Sequence, residues 1–263
     1  MRIHHLNCGT LAPPFPPVRA VIYCLLLETD NGLVLIDSGL GRRDCESPNR
    51  RMRIFMWATG AKRDVEETAY HQVQALGYAP EGVRDIVLTH LHLDHAGGLP
   101  DFPWARIHIY QREYQAAMQP GGILSWPFES KNWAHGPRWV VHRLGEERWF
   151  GFPGLRIWTD REPEIWLIPL PGHSPGHCGI AVRTDDGSWL LHCGDAASPY
   201  HPASDVHNGG GDQYSFTLLP DRMVYRFLGP HAPALRQLLK GHGDEIQAIS
   251  SHDLYSFREH VQQ

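Results

Sequence analysis

The stretch Thr89-His90-Leu91-His92-Leu93-Asp94-His95-Ala96-Gly97-Gly98 places three imidazoles and a carboxylate within six residues, directly after the apolar run Asp85-Ile86-Val87-Leu88. That run reads as a buried strand. The imidazoles therefore arrive at a strand end, and Gly97 and Gly98 are expected to let backbone approach a ligand closely. In an extended segment His90 and His92 share one side, because side chains alternate with a period of two. Two neutral imidazoles can then converge on one cation, while Asp94 and His95 lie a turn further on, within reach of a second. A solvated histidine-rich loop is the bland alternative in a chain with 18 histidines. It would leave the spacing arbitrary, whereas metal ligation explains it.

The bulk numbers narrow the function. A chain of 263 residues, 42% apolar and 20% charged, can bury a sizeable core. Length alone allows one large domain or two small ones. Candidate ligands spread from His90 to His252 favour one domain over 1–263, with an aromatic-rich insertion at about 121–149. Net charge is −5, from 24 basic and 29 acidic residues. Counterion release on nucleic acid needs clustered Lys and Arg, so no nucleic-acid partner is expected. Five cysteines, odd in number and without a Cys-x-x-Cys pair, suggest free thiols in a reducing compartment. Met1 to Asn7 holds no signal-peptide core, and the apolar run Val21 to Leu27 is too short to span a bilayer. Cytoplasmic residence and no membrane partner are the expectations, and a homodimer is left open.

Along the chain, the segment at about 1–19 ends in Pro13-Pro14-Phe15-Pro16-Pro17 and reads as a surface loop. Val21–Leu27 and Leu33–Ile36 flank Asp30-Asn31-Gly32, a hairpin signal. Residues 41–62 carry five arginines between Arg42 and Arg53 and read as an irregular, solvated loop. A helix is predicted from the Asp64 cap, with Glu67 closing a capping box, to Gly77. Arg106–Tyr110 alternates as a strand that includes His108, and Gln111–Met118 reads as a short helix. From Gly121 to Trp149 the periodicity fails and Trp126, Phe128, Trp133, Trp139 and Trp149 crowd in. This reads as a wall over the site, with a satellite core as the alternative. Strands at Leu155–Trp158, Ile165–Leu170, Gly179–Val182, Trp189–His192 and Ile246–Ile249 follow, with a helix near Pro233–Lys240. Residues 198–220 read as irregular, with Gly209-Gly210-Gly211 as a flexible point.

His90-x-His92-x-Asp94-His95 after an apolar strand resembles the signature of the metallo-β-lactamase fold hydrolases, a superfamily of metal-dependent hydrolases. Pro171-Gly172-His173-Ser174-Pro175-Gly176-His177 resembles the third-histidine loop of that family. Cys193-Gly194-Asp195 is similar to its bridging aspartate, Ser250-Ser251-His252-Asp253 to its last histidine, and Val34 to Gly39 to its early strand and Asp-x-Gly turn. The resemblance spans roughly residues 20–255. It implies an α+β fold, a four-layer αβ/βα sandwich of two mixed β-sheets packed face to face with helices outside.

The same resemblance implies that His90, His92 and His173 hold one metal, that Asp94, His95 and His252 hold a second, and that Asp195 bridges them. Two divalent ions are expected, zinc by donor type, with iron, manganese or cobalt also suited. A metal-bridging hydroxide would attack the substrate while Asp94 moves its proton. Asp37 would touch ligands rather than metal, and Cys193 reads as a buried strand residue. His177 is a weaker ligand candidate than His173. In motif pattern the chain is similar to acyl-homoserine lactonases and glyoxalase II. The implied function is hydrolysis of a small ester or lactone, with phosphoester or glyoxalase II type thioester hydrolysis as alternatives. True β-lactamases of this fold lack the bridging aspartate, so Asp195 counts against antibiotic hydrolysis. One departure concerns the substrate carbonyl, which the lactonases commonly meet with a tyrosine three residues after the bridging aspartate. Here that position is Ser198, with Tyr200 or His201 as substitutes, so Asp94, Tyr200 and Ser198 are the candidate catalytic residues.

Overall fold

Two strands open the chain, β1 (Ile3–Leu11) and β2 (Ala20–Thr29), and β2 is apolar at nearly every position because both of its faces are covered. Val21, Tyr23, Leu25 and Leu27 enter one buried cluster, while Ala20, Ile22, Cys24 and Leu26 enter another. The period-two alternation of a strand dictates that division. The computed structural model describes residues 1–13, 19–119, 126–196 and 231–261 and arranges the chain around this double-sided strand.

The first sheet runs in the order β1, β2, β3 (Gly32–Ile36), β4 (Val83–Val87), β5 (Arg106–Tyr110) and β6 (Arg138–His142). Its first three strands are antiparallel and its last four parallel. A two-stranded hairpin, β7 (Arg148–Trp149) and β8 (Phe152–Pro153), leads into the second sheet. That sheet contains β9 (Leu155–Arg156), β10 (Ile165–Pro169), β11 (Cys178–Arg183), β12 (Trp189–His192) and β13 (Ile246–Ile249), adjacent in that order. The helices are α1 (Arg42–Glu46), α2 (Arg50–Thr59), α3 (Ala69–Ala75), α4 (Gln111–Met118), α5 (Ala232–His242) and α6 (Leu254–Val261).

The two sheets share a core in which Val21, Leu25, Val34, Ile36 and Val87 meet Ile165, Leu167, Ile180, Val182 and Leu190. On the outer face of the first sheet, Met52 and Met56 of α2 and Ala69 and Val73 of α3 cover Ile22, Leu26, Leu35 and Ile86. Leu235 and Leu238 of α5 cover Ile168, Leu191 and Ala248 on the outer face of the second. This is the expected layering of helix, sheet, sheet and helix. Strands β3 and β4 are parallel, so their carboxyl ends share one edge of the first sheet. In the second sheet β10, β12 and β13 also run in one direction. Every ligand candidate follows a strand of this kind.

Four expectations change. Residues 3–11 are a strand rather than a loop, because the apolar edge of β2 supplies hydrogen-bond partners to a segment of weak intrinsic preference. Residues 14–18, which hold most of the Pro13 to Pro17 run, lie outside the described residues. The arginine-rich segment forms α1 and α2: Asn49 caps α2 by accepting from Met52 N at 2.9 Å, and Met52 and Met56, four residues apart, bury its apolar side. Asp64 caps only a single 3-10 turn, and α3 begins after Thr68. The aromatic segment contributes β6, with Trp133 and Trp139 packed against the first outer core and Trp149 buried in the second. Residues 198–220, with Gly209 to Gly211, lie outside the described residues. All five cysteines are free and buried. Among the described residues no helix is long and apolar enough to cross a membrane.

The loop after β3 braces the histidine-rich loop: Ser38 N donates to His95 O at 2.8 Å and Gly98 N to Gly39 O at 3.1 Å. A Cβ at Gly97 would lie 2.5 Å from Asp44 Oδ2, 2.7 Å from Gly39 O and 2.9 Å from Leu93 O. Gly97 is thus required by loop against loop, not by approach to a ligand as the sequence suggested. Gly97→Ala is expected to lower stability by about 1–3 kcal/mol through overpacking, read as a lower urea midpoint with little change in slope. Unchanged stability would show that the two loops do not abut.

Candidate metal centre

Four loops leave the carboxyl ends of β4, β10, β12 and β13 at one end of the sandwich. They carry, respectively, His90 to His95, His173, Asp195 and His252. Ring centroids lie 4.4 Å apart for His90 and His92, 4.0 Å for His90 and His95, 4.8 Å for His90 and His173 and 4.6 Å for His92 and His173. His252 faces His95 across 5.6 Å. Asp195 lies among them, with Oδ1 at 3.2 Å from His95 Nε2 and Oδ2 at 3.1 Å from His173 Nε2 and 3.3 Å from His252 Nε2. Asp94 Oδ2 is 3.7 Å from the Nε2 atoms of both His95 and His252. All the nominated metal-ligating residues therefore meet in one cluster. Ser198, Tyr200 and His201 lie outside the described residues.

The ring nitrogens on the far side of the cluster are engaged elsewhere. Asp37, fully buried at the end of β3, accepts from Thr89 N at 2.8 Å and Thr89 Oγ1 at 2.7 Å, and its Oδ2 faces His95 Nδ1 at 2.8 Å. Its φ of 55° is a strained setting for an aspartate. Strain of about 1–3 kcal/mol is offset by three bonds to a carboxylate at about 1.5–3 kcal/mol each. Thr89 Oγ1, already donating to Asp37, accepts from His90 Nδ1 at 2.9 Å. Val21 O accepts from His252 Nδ1 at 2.9 Å. With Nδ1 engaged in each ring, the Nε2 atoms of His90, His95 and His252 point inward.

Two neutral histidines shape the aspartate turn. Asp195 N donates to His177 Nε2 at 2.9 Å while His177 Nδ1 donates to Leu170 O at 3.2 Å. Gly194 N donates to His192 Nδ1 at 3.2 Å, whose Nε2 donates to Tyr23 O at 2.8 Å. Burial pushes His177 down to about 3 and lowers His192 as well, so both rings keep an accepting lone pair. Both of His177's nitrogens are occupied by backbone, and it stands behind Asp195 as a support. Nothing in the sequence marks His192 or Thr89 for these roles.

Charge is divided unevenly. Burial holds His90 and His92 well below the usual imidazole range, with neighbouring imidazoles adding to the effect. Burial would also lower His95 and His252, yet the carboxylates outweigh it: Asp195 and Asp94 raise His95 well above its ordinary value and His252 to about 9. Burial would raise Asp195, but His252, His95 and His173 hold it well below the usual carboxylate range.

The donors fit a metal centre. His90, His92 and His173, then His90, His95 and Asp195, then Asp94, His95 and His252 each place their donor atoms within 4.8 Å of one another. His90 Nε2, His95 Nε2 and Asp195 Oδ1 are buried without a hydrogen bond among the described residues. Each such atom costs about 1–3 kcal/mol when left unsatisfied, and bound cations would satisfy all three. Imidazole nitrogen with carboxylate oxygen suits zinc, and also iron, manganese or cobalt. Cys193 is fully buried, with its thiol pushed up to about 12, and is absent from these donor groups.

Asp37→Asn keeps the shape but has one oxygen, so it cannot accept all three bonds from Thr89 N, Thr89 Oγ1 and His95 Nδ1, and His95 should lose its orientation. The variant is expected to lose roughly 10–100-fold in affinity at the Asp94, His95 and His252 group and to change less at the His90, His92 and His173 group. Competition titration against a chelator checks this, and parental affinity throughout would remove Asp37 from the account.

Comparison with known proteins gives three findings. The metallo-beta-lactamase superfamily model matches residues 18–216. A Mycobacterium tuberculosis protein described as a probable metallo-hydrolase is 39% identical over 198 residues, 74% of this chain, and the match spans 62% of that relative's length. An N-acyl homoserine lactonase of Bacillus thuringiensis is 27% identical over 196 residues, covering 72% of this chain and 69% of the relative. In fold, the chain is similar to a solved N-acyl homoserine lactone hydrolase with N-hexanoyl-L-homoserine bound at its catalytic metal center. The TM-score is 0.68 at 19% identity, over 98% of this chain and 95% of that one. With its family model matched over most of its length, and with the layered sheets and the histidine cluster at their carboxyl ends, the chain belongs to the metallo-β-lactamase superfamily.

Proposed function

We propose that the chain is a dinuclear metal-dependent hydrolase of small esters or lactones. His90, His92 and His173 would hold one cation, Asp94, His95 and His252 the second, and Asp195 would lie between them. The observation that carries this reading is the set of overlapping donor groups around Asp195, in which His90 Nε2, His95 Nε2 and Asp195 Oδ1 are buried without a hydrogen bond among the described residues. When bound, two divalent cations lower the pKa of a shared water and polarise a carbonyl oxygen. Asp94 Oδ2, next to the Nε2 atoms of His95 and His252, would take the proton of the attacking water and return it to the departing alkoxide. The water oxygen bonds to the acyl carbon, the acyl C–O bond breaks, and an acid and an alcohol, or a hydroxy acid from a lactone, leave.

Among the described residues, the buried thiols and the hydroxyls bonded to carboxylates are poorly suited to that role. Burial raises the Cys178 thiol well above its ordinary value and pushes Cys45 and Cys193 up to about 12. The Thr89 and Ser174 hydroxyls donate to Asp37 and Glu113.

Substrate class is argued from the surroundings. Phe128 is buried against His92 with ring centroids 5.3 Å apart, and Leu93 N donates to Pro127 O at 3.0 Å, so the segment at 126–128 forms an apolar wall beside the metal ligands. Trp133 and Trp139 pack into the core instead. The ion partners of Asp94 and Asp195 among the described residues are imidazoles. An uncharged acyl or lactone substrate fits such a site better than a phosphodiester, which needs cations to position its charge. The similarity to Bacillus N-acyl homoserine lactonases supports the same class.

Purified protein is expected to hold about two transition-metal ions per chain by elemental analysis. Asp195→Asn should lower metal affinity at least roughly 10–100-fold, the range for disturbed neighbours of ligands. In a pH-indicator assay, lactones and aryl esters should exceed bis-aryl phosphodiesters and thioesters in kcat/KM. Faster turnover of a phosphodiester than of every ester and lactone tried would overturn the substrate class, and full activity without metal would overturn the whole reading.

A further inference from the structure

We propose that Glu113, which lies outside every ligand-bearing loop, is a positioning residue that fixes one donor triad by joining the two loops that build it. Glu113 sits in the first turn of α4 and is fully buried. Its Oε1 accepts from Leu91 N at 3.0 Å, and Leu91 stands between His90 and His92. Its Oε2 accepts from Ser174 Oγ at 2.6 Å and from Gly176 N at 2.9 Å, one and three residues past His173. One carboxylate therefore spans the loop after β4 and the loop after β10.

The consequence appears at the donors. His92 Nδ1 and His173 Nε2 come within 2.9 Å of each other although they belong to segments 81 residues apart. Among the described residues, the other hydrogen bond that joins these two loops near the rings is Cys178 N donating to Thr89 O at 2.9 Å. The contact with α4 is tight. A Cβ at Gly176 would lie 2.1 Å from Glu113 N and 2.6 Å from its Cα, so the loop closes onto the helix backbone only with glycine there. Among the described residues, the hydrogen-bond partners of Glu113 are two amides and a hydroxyl, with no Lys or Arg among them. A buried carboxylate without a cationic partner is costly to keep, and here it is held by bonds to the two loops.

The other triad is held differently, by Asp37 on His95 and by Val21 O on His252. Two carboxylates from outside the ligand set thus brace the centre, Asp37 directly on His95 and Glu113 through the two loops of the other triad. Damage to one should weaken one class of metal site and spare the other. This inference rests on the dinuclear reading above.

The test is a zinc titration of the full chain against a competing chelator, with thermal unfolding of each metal-free protein measured beside it. Glu113→Gln is nearly isosteric but loses accepting capacity on one arm. Ser174→Ala removes a single donor and serves if Glu113→Gln fails to fold. Both are expected to weaken one of two zinc sites, Glu113→Gln by roughly 10–100-fold and Ser174→Ala by less, while the second site keeps parental affinity. With cobalt, the visible spectrum of the weakened site should change and that of the other should not. Two zinc sites of parental affinity in variants whose metal-free form is merely less stable would reduce Glu113 to a structural role and overturn the proposal. A parent protein that binds fewer than two zinc ions would overturn the dinuclear reading itself.

Discussion

Imidazoles packed ring to ring away from water impose the constraint on which this end of the molecule depends. Burial disfavours their charged forms, and their near nitrogens face one another rather than ordinary hydrogen-bond partners. Three of the rings are held from outside through their far nitrogens: His90 by Thr89, His95 by Asp37 and His252 by the Val21 carbonyl. Orientation is therefore set before any ligand arrives. A site built in this way loses little freedom on binding a cation, which is the physical meaning of preorganisation.

The sheets supply the geometry that these contacts need. Parallel strands place β3 and β4 ends together, and β10, β12 and β13 ends together. The shared core between the sheets fixes the two edges against each other. Backbone bonds then close the seam, with Tyr23 N donating to Ser251 O at 2.8 Å and Ser251 N to Gly194 O at 3.1 Å. Stability of the sandwich and placement of the donors are thus one problem. The same alternation that sends Val21, Tyr23, Leu25 and Leu27 into the inter-sheet core aims the Val21 and Tyr23 carbonyls at His252 and His192.

The histidine-rich loop and the apolar strands were legible because each rests on a local pattern. His90 and His92 alternate on an extended segment, and β10, β11 and β12 are short apolar runs bounded by turn residues. Helix α4 was legible from its breakers. What escaped depends on contacts distant in sequence. The strand character of His4, His5 and Asn7 comes from pairing with β2, and α2 hides two buried methionines among arginines. The tryptophans at 133, 139 and 149 look like a site wall in sequence and are mostly packing in space. Glu113, Thr89 and His192 carry no local signal, because their partners lie in other segments or are backbone atoms.

Anomalous diffraction from crystals of the zinc-loaded protein tests the central claim most directly. Two peaks are expected, about 3.5–4 Å apart, one against His90, His92 and His173 and one against Asp94, His95 and His252, with the Asp195 carboxylate between them. A single peak, or peaks away from these side chains, would contradict the dinuclear account.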